Sequence, residues 1–299
     1  MVRCLEEDGD ACSIANRFLP TRLIEVSTKH GMSCSAHLVL RGELPLKTPY
    51  LTLSHCWSDT EAKPISLTLE CFDRLRNDIP MSELSKTFRD PLQVTIWLGY
   101  RHVWMDPLCI LQNSDEDWEE EAARMGDIYR HSMCTIAAIR ARDGRDGLFF
   151  ERNALTFTKL PLTKSKGQRQ YATRKEPWLN PLIGRAWTVK ERCLSSRTLY
   201  FGSDMISWAC RRCEACEGPY ARNLQMRDSS FAKLLDGDTD EKTAVAAWNT
   251  IVEAYASCKL TLWKDRWPAF QVLTAEVEKA QGRTILHGLR SHLFRQDLV

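Results

Sequence analysis

The chain has 299 residues, 43% of them hydrophobic and 27% charged, enough for one large domain or two modest ones with a real core. Its 41 basic and 39 acidic side chains leave a formal charge of +2, which offers no electrostatic basis for binding nucleic acid or an anionic membrane. No apolar run is long enough to span a bilayer, and residues 1–10 are acidic and lack the apolar core of a signal peptide, so a cytoplasmic protein is expected, its cysteines thiols rather than disulfides.

Residues 1–49 read as an irregular lead-in with one short apolar stretch at 22–26. Residues 50–54 (Tyr-Leu-Thr-Leu-Ser) are strand-like, and a polar connection follows, from 58 to about 80. Helical spacing covers 87–99, where Pro91 fits only in the first turn. A strand is predicted at 102–106. The clearest helix spans 116–131. Ser114 and Asp117 are placed for a capping box at its start. Acidic residues fill its first turns and Arg124, Arg130 and His131 follow, which suits the helix dipole. A β-rich apolar run occupies 134–139. Residues 150–180 are polar, with basic residues at Lys164, Lys166, Arg169, Arg174 and Lys175, and read as a solvated excursion. A short helix at 184–194, a strand or hairpin at 199–208 and a helical stretch from 243 complete the chain.

The alternation of strands 50–54, 102–106 and 134–139 with helices 87–99 and 116–131 predicts an α/β fold. Its sheet is open and mostly parallel, with right-handed helical crossovers on both faces and a mixed and helical C-terminal part. The expected organisation is a lead-in (1–49), a core domain (50–215) and a mostly helical extension packed on it (216–299). Open α/β sheets carry their working residues beyond the carboxyl ends of the strands, which brings Ser54-His55-Cys56-Trp57, Asp106 to Cys109 and 140–143 together.

Several side chains there have two readings. Ser54, His55 and Cys56 suggest a nucleophile and base, yet neighbouring strand residues point to opposite faces, so His55 needs a distant partner to act and otherwise is a hydrogen-bonded structural histidine. Asp106 is a site carboxylate or the cap of the next turn. Cys109 sits in an apolar stretch, buried unless something lowers its pKa. Glu121 shares an inward face with Met125 and Ile128 and therefore needs a partner or a task; Arg185 is a candidate partner. Arg185, Trp187 and Glu191 have helical spacing, and either an Arg–Glu ion pair supports the fold or the arginine receives a ligand phosphate. Cys210, Cys213 and Cys216 form a C-x-x-C-x-x-C run without an evident fourth ligand, so no metal is expected.

A family resemblance adds to this. Residues 50–57 (YLTLSHCW), 84–90 (LSKTFRD) with Leu98-Gly99-Tyr100, 103–106 (VWMD) with Leu108-Cys109-Ile110 and Asp117-Trp118, Gly147-Leu148-Phe149 with Arg152, and Arg185-Ala186-Trp187-Thr188 with Glu191-Arg192 resemble, in order and spacing, the signatures of fungal heterokaryon-incompatibility (HET) domains. Asp265-Arg266, Ala269 and His287-Gly288-Leu289 are similar to the segment downstream. The resemblance implies an effector or signalling role in non-self recognition and regulated cell death, engaged by self-association or by an upstream recognition protein. HET domains have been proposed as remote relatives of Toll/interleukin-receptor (TIR) domains, which implies a flavodoxin-like sheet. By analogy it also implies an NAD-cleaving enzyme with a helix-borne glutamate, NAD being its substrate rather than a bound cofactor. Ser58, Pro107, Asn113 and Lys190 stand where the family carries glycine, serine, aspartate and glutamine, which leaves a non-catalytic interaction domain as the further alternative. The candidate catalytic residues are Glu121, Asp106 and His55, and the candidate ligand-binding residues are Ser54, Trp57, Cys109, Arg185 and Trp187. The chain ends soon after the downstream segment and reads as a member without the long C-terminal regions common in the family.

Overall fold

The computed structural model describes residues 4, 18–29, 33–57, 65–152, 160–165, 168–172, 181–203, 205–211, 213–217, 231, 234–235, 239–260, 266–282, 284–286 and 289–290. Ser58, Lys166, Arg174, Lys175, Asp265, His287 and Gly288 lie outside them.

An eight-stranded mixed sheet organises the chain. Its strands are β1 (Arg22–Lys29), β2 (Ser33–Leu40), β3 (Leu51–Ser54), β4 (His102–Trp104), β5 (Cys134–Ala137), β8 (Arg197–Phe201), β9 (Ile206–Cys210) and β10 (Glu214–Cys216), in the order β10-β9-β8-β5-β3-β4-β1-β2. The three strands expected to be neighbours are neighbours: β3 pairs in parallel with β4 on one side and β5 on the other, and β5 pairs in parallel with β8. Taken alone, these four run 2-1-3-4, the start of the flavodoxin-like order, whose switch point lies between its first and third strands. Here that point falls between β3 and β5. All four side chains of β3 are buried, as expected of a parallel strand covered on both faces.

The connections are helical. Between β3 and β4 come α1 (Phe72–Asn77) and α2 (Lys86–Trp97), the latter with Pro91 inside. Between β4 and β5 come a single turn, α3 (Asp106–Cys109), and α4 (Asp115–His131). The expected strand 102–106 ends two residues early, because Asp106 opens α3 with Pro107 in its first turn, where a fixed φ is already helical and the missing N–H costs nothing. The Ser114 side chain accepts from the Asp117 N–H and caps α4. Helix α5 (Ala186–Leu194) links β5 to β8.

Among its described residues the lead-in is not irregular. β1 and β2 form an eight-residue antiparallel hairpin, and β1 joins the sheet against β4. Leu23, Ile24 and Val26 are all buried. Over residues 22–24 the strand is buried on both faces, and this first half lacks the alternation that marks a strand in sequence. Within 150–180, β6 (Leu160–Ser165) and β7 (Gln168–Ala172) form a separate two-stranded sheet. Farther on, α6 (Glu241–Ala256) begins at Asp240, whose side chain accepts from the Thr243 N–H. Helix α7 (Arg266–Gln281) packs against α4 and α5. Arg130 on α4 meets Glu276 on α7 at 2.6 Å, and the Phe270 ring packs tilted against those of Trp248 and Tyr255 on α6. A last short pair, β11 (Ile285–Leu286) and β12 (Leu289–Arg290), follows.

Candidate functional site

The carboxyl ends of β3 and β4 and the first turns of α5 converge. Ser54 closes β3, and its hydroxyl donates to Oε2 of Glu191 on α5. His55 points to the other face of the sheet, as strand alternation requires, and there its ring stands edge-on to Phe88 of α2 at 5.0 Å. The two residues that invited a nucleophile–base reading therefore lie on opposite sides of one strand. The distant partner of His55 is Asp106: Nδ1 lies 3.5 Å from Oδ1. The other Asp106 oxygen, Oδ2, accepts from the Trp57 indole N–H at 2.7 Å. Arg185, the residue just before α5, donates to the Trp57 carbonyl at 3.3 Å. The Lys190 ammonium lies 3.9 Å above the Trp187 ring, a cation–π contact, and Trp187 in turn meets Trp118 of α4 edge to face.

The electrostatics follow from burial. His55 is pushed down to about 3 by burial, with Arg185 adding to the effect, so it is a neutral imidazole and its contact with Asp106 is not an ion pair. Burial raises Asp106 to about 6, against the Trp57 hydrogen bond and the charges of Arg185 and Lys190. Burial raises Glu191 to about 7, against the Ser54 hydrogen bond, while the Asp106 charge pushes it further up. Two carboxyl groups therefore titrate near neutrality, the range in which a side chain both takes and gives a proton. Burial lifts Cys56 to about 11 and Cys109 to about 12; both are thiols at neutral pH and poor nucleophiles. Tyr129 supports the site from α4, its hydroxyl donating to the Leu53 carbonyl at 3.0 Å. Beside the Ser54–Glu191 bond lies a small cavity, with space for about one water, lined by Ser54, Ala137, Leu182, Glu191, Arg192 and Tyr200.

The structure thus gathers Ser54, His55, Trp57, Asp106, Arg185 and Trp187 around one strand end. Cys109 is buried one turn beyond Asp106, its carbonyl accepting from Arg22 Nε at 2.7 Å. Glu121 is buried on α4 with partners other than Arg185: Oε1 accepts from the Thr21 hydroxyl at 2.5 Å and from Arg124 at 3.4 Å, while Oε2 has no hydrogen-bond partner. Glu191 is the site acid that sequence reasoning passed over. At helical spacing from Arg185 it read as half of an ion pair, and only the fold shows Ser54 as its partner. The buried Lys190, packed over a tryptophan and with its charge felt by Asp106 and Glu191, carried no signal beyond standing in place of the family's glutamine.

Residues 50–191 match the family model described as Heterokaryon incompatibility protein (HET). No curated protein and no solved structure matches the chain.

Proposed function

We propose, for a chain whose residues 50–191 are a heterokaryon-incompatibility domain, a role as an effector or signalling protein of regulated cell death in fungal non-self recognition. The domain gives the broad role, and the site gives it a means of action. The observation that supports an active rather than a passive module is the raised affinity for protons of Asp106 and Glu191, at about 6 and about 7, one beyond the carboxyl end of β4 and the other against the carboxyl end of β3, the side of the sheet where α/β proteins place ligands. Asp106 acts with His55 and Trp57; Glu191 acts with Ser54; Arg185 is the group for an anionic ligand. Expression in a fungal cell tests the reading. The parent should kill or arrest the cells, and Asp106→Asn should relieve toxicity while leaving soluble protein at the parent's level. An Asp106→Asn chain as toxic as the parent would end this role for the site.

A second reading rests on the same pair of acids, with Arg185 and Trp57 beside them: cleavage of the N-glycosidic bond of NAD. One carboxylate would stabilise the positive charge that develops on the ribose, the arginine would hold the pyrophosphate, and the indole would stack on a ring. Incubation of concentrated protein with NAD and analysis for released nicotinamide tests it. Toxicity without NAD loss leaves a module that acts through self-association or a recognition partner.

A further inference from the structure

We propose that Cys210 and Cys213 form a reversible thiol–disulfide site on the β9–β10 hairpin. Their sulfur atoms are 3.4 Å apart. The strands continue into this pair: Ala209 faces Glu214 in register, and the Cys210 N–H donates to the Cys213 carbonyl at 2.9 Å. That bond holds the two residues opposite each other where the hairpin closes, and sulfur atoms this close need only a small approach to reach bonding distance. Only Arg211 and Arg212 separate the two cysteines, so little chain must move.

The two thiols differ in access. Cys213 is exposed and Cys210 is buried against Cys4 and Trp208. The Cys213 N–H also points at the Cys210 sulfur, at 3.4 Å, a donor that favours the anionic, attacking form. Hydrogen peroxide is the oxidant. The Cys213 thiolate attacks one peroxide oxygen, giving a sulfenic acid and releasing hydroxide, which takes up a proton as water. The Cys210 thiolate then attacks the Cys213 sulfur and displaces the hydroxyl, which leaves as a second water. Two thiols are oxidised and one peroxide is reduced. A dithiol reductant reverses the bond by exchange. A bond closing so short a loop adds little stability, so its use is switching rather than stapling. Cys216, which faces Ser207, lies on the opposite face of the hairpin by strand alternation and is the control.

The test uses the full chain, purified reduced and treated with hydrogen peroxide, quenched by acid and mapped by peptide mass spectrometry. The expected result is one crosslink, Cys210 to Cys213, with loss of two thiols, restored by dithiothreitol. Cys216→Ser and Cys4→Ala should leave it in place, and Cys213→Ser should abolish it while leaving Cys210 reduced. The parent protein alone decides the matter should a variant fold poorly. A crosslink to Cys4 or Cys216 instead, Cys213 oxidised to the sulfinic acid with Cys210 intact, or stoichiometric zinc holding these thiols in untreated protein would each overturn the proposal.

Discussion

Ser54 and Glu191 lie 137 residues apart and share one buried hydrogen bond, the serine hydroxyl donating to the carboxylate. That bond fastens α5 to the carboxyl end of β3, yet it does not offset burial, since Glu191 stands at about 7 against an ordinary value of 4.5. A carboxyl raised in the folded state holds its proton more tightly there than when unfolded. Its contribution to stability is therefore full below pH 4.5, declines as pH rises, and is gone above about 7. The decline amounts to about 3 kcal/mol at ~1.36 kcal/mol per pH unit. Glu191→Gln, which keeps an oxygen for Ser54, should lack this slope and be the more stable protein at pH 8. Urea denaturation of both chains across that range measures the difference; parallel curves would refute it.

Asp106 and Trp57 give the site an optical reporter. With Asp106 raised to about 6, the carboxylate that accepts the indole N–H is fully charged only above that pH. The fluorescence difference between the parent and Trp57→Phe should change with a midpoint near pH 6, and Asp106→Asn should remove the change. The His55 ring nitrogens should keep the NMR shifts of a neutral imidazole from pH 8 down to pH 5, since the ring protonates only near 3, with no more than a small change as Asp106, 3.5 Å away, titrates. Both ring nitrogens moving to imidazolium shifts between pH 8 and pH 5 would mean a charged imidazole and a true ion pair with Asp106.

The parallel centre was legible because β3 and β5 are apolar runs, and the helices between strands carry caps and period: Ser114 before α4 and the later Arg130 and His131 are local signals that the fold obeys. What sequence could not give is of two kinds. β1 is buried on both faces over residues 22–24, which erases over that stretch the alternation that would have revealed it. The partnerships of Glu191 with Ser54, Trp57 with Asp106 and Glu121 with Thr21 span 137, 49 and 100 residues; they are products of topology and leave no trace in local spacing. The strand-end principle named Ser54, His55, Trp57 and Asp106 as neighbours because it is itself a rule of topology.

Gly126 marks how closely α7 lies on α4. A Cβ there would stand 2.3 Å from Val272 Cγ1 and 3.4 Å from Leu194 Cδ1. Alanine is the better helix former by about 1 kcal/mol, but overpacking costs about 1–3 kcal/mol. Gly126→Ala should therefore destabilise by a net amount up to about 2 kcal/mol on those figures. Adding Val272→Ala, which removes the obstructing methyl groups, should recover the loss, so that the pair is non-additive in a double-mutant cycle. Equal costs for Gly126→Ala with and without Val272 would mean that α7 does not dock here.

Glu121 and Glu191 are both buried glutamates on helices that cover the sheet, and their variants should behave differently. Glu121 grips Thr21 and Arg124 and so ties α4 to the segment that leads into β1, beside the Arg22–Asp117 ion pair at 2.5 Å. In Glu121→Gln one oxygen still accepts from Thr21, but the new amide must occupy the place of Oε2, which has no partner. A buried donor without an acceptor costs about 1–3 kcal/mol. That variant should melt lower and accumulate less soluble protein, while each folded molecule remains as toxic as the parent. On the proposed role, Glu191→Gln should show the opposite pattern: a melting point at neutral pH equal to or above the parent's, with toxicity lost. Loss of general acid–base action costs about 10²–10⁴-fold in rate, well beyond what expression level compensates. The two measurements are the melting temperature of each purified chain and fungal survival normalised to the soluble protein present. Toxicity lost in a well-folded Glu121→Gln and kept in Glu191→Gln would move the working acid to α4 and return Glu191 to a purely structural bond with Ser54.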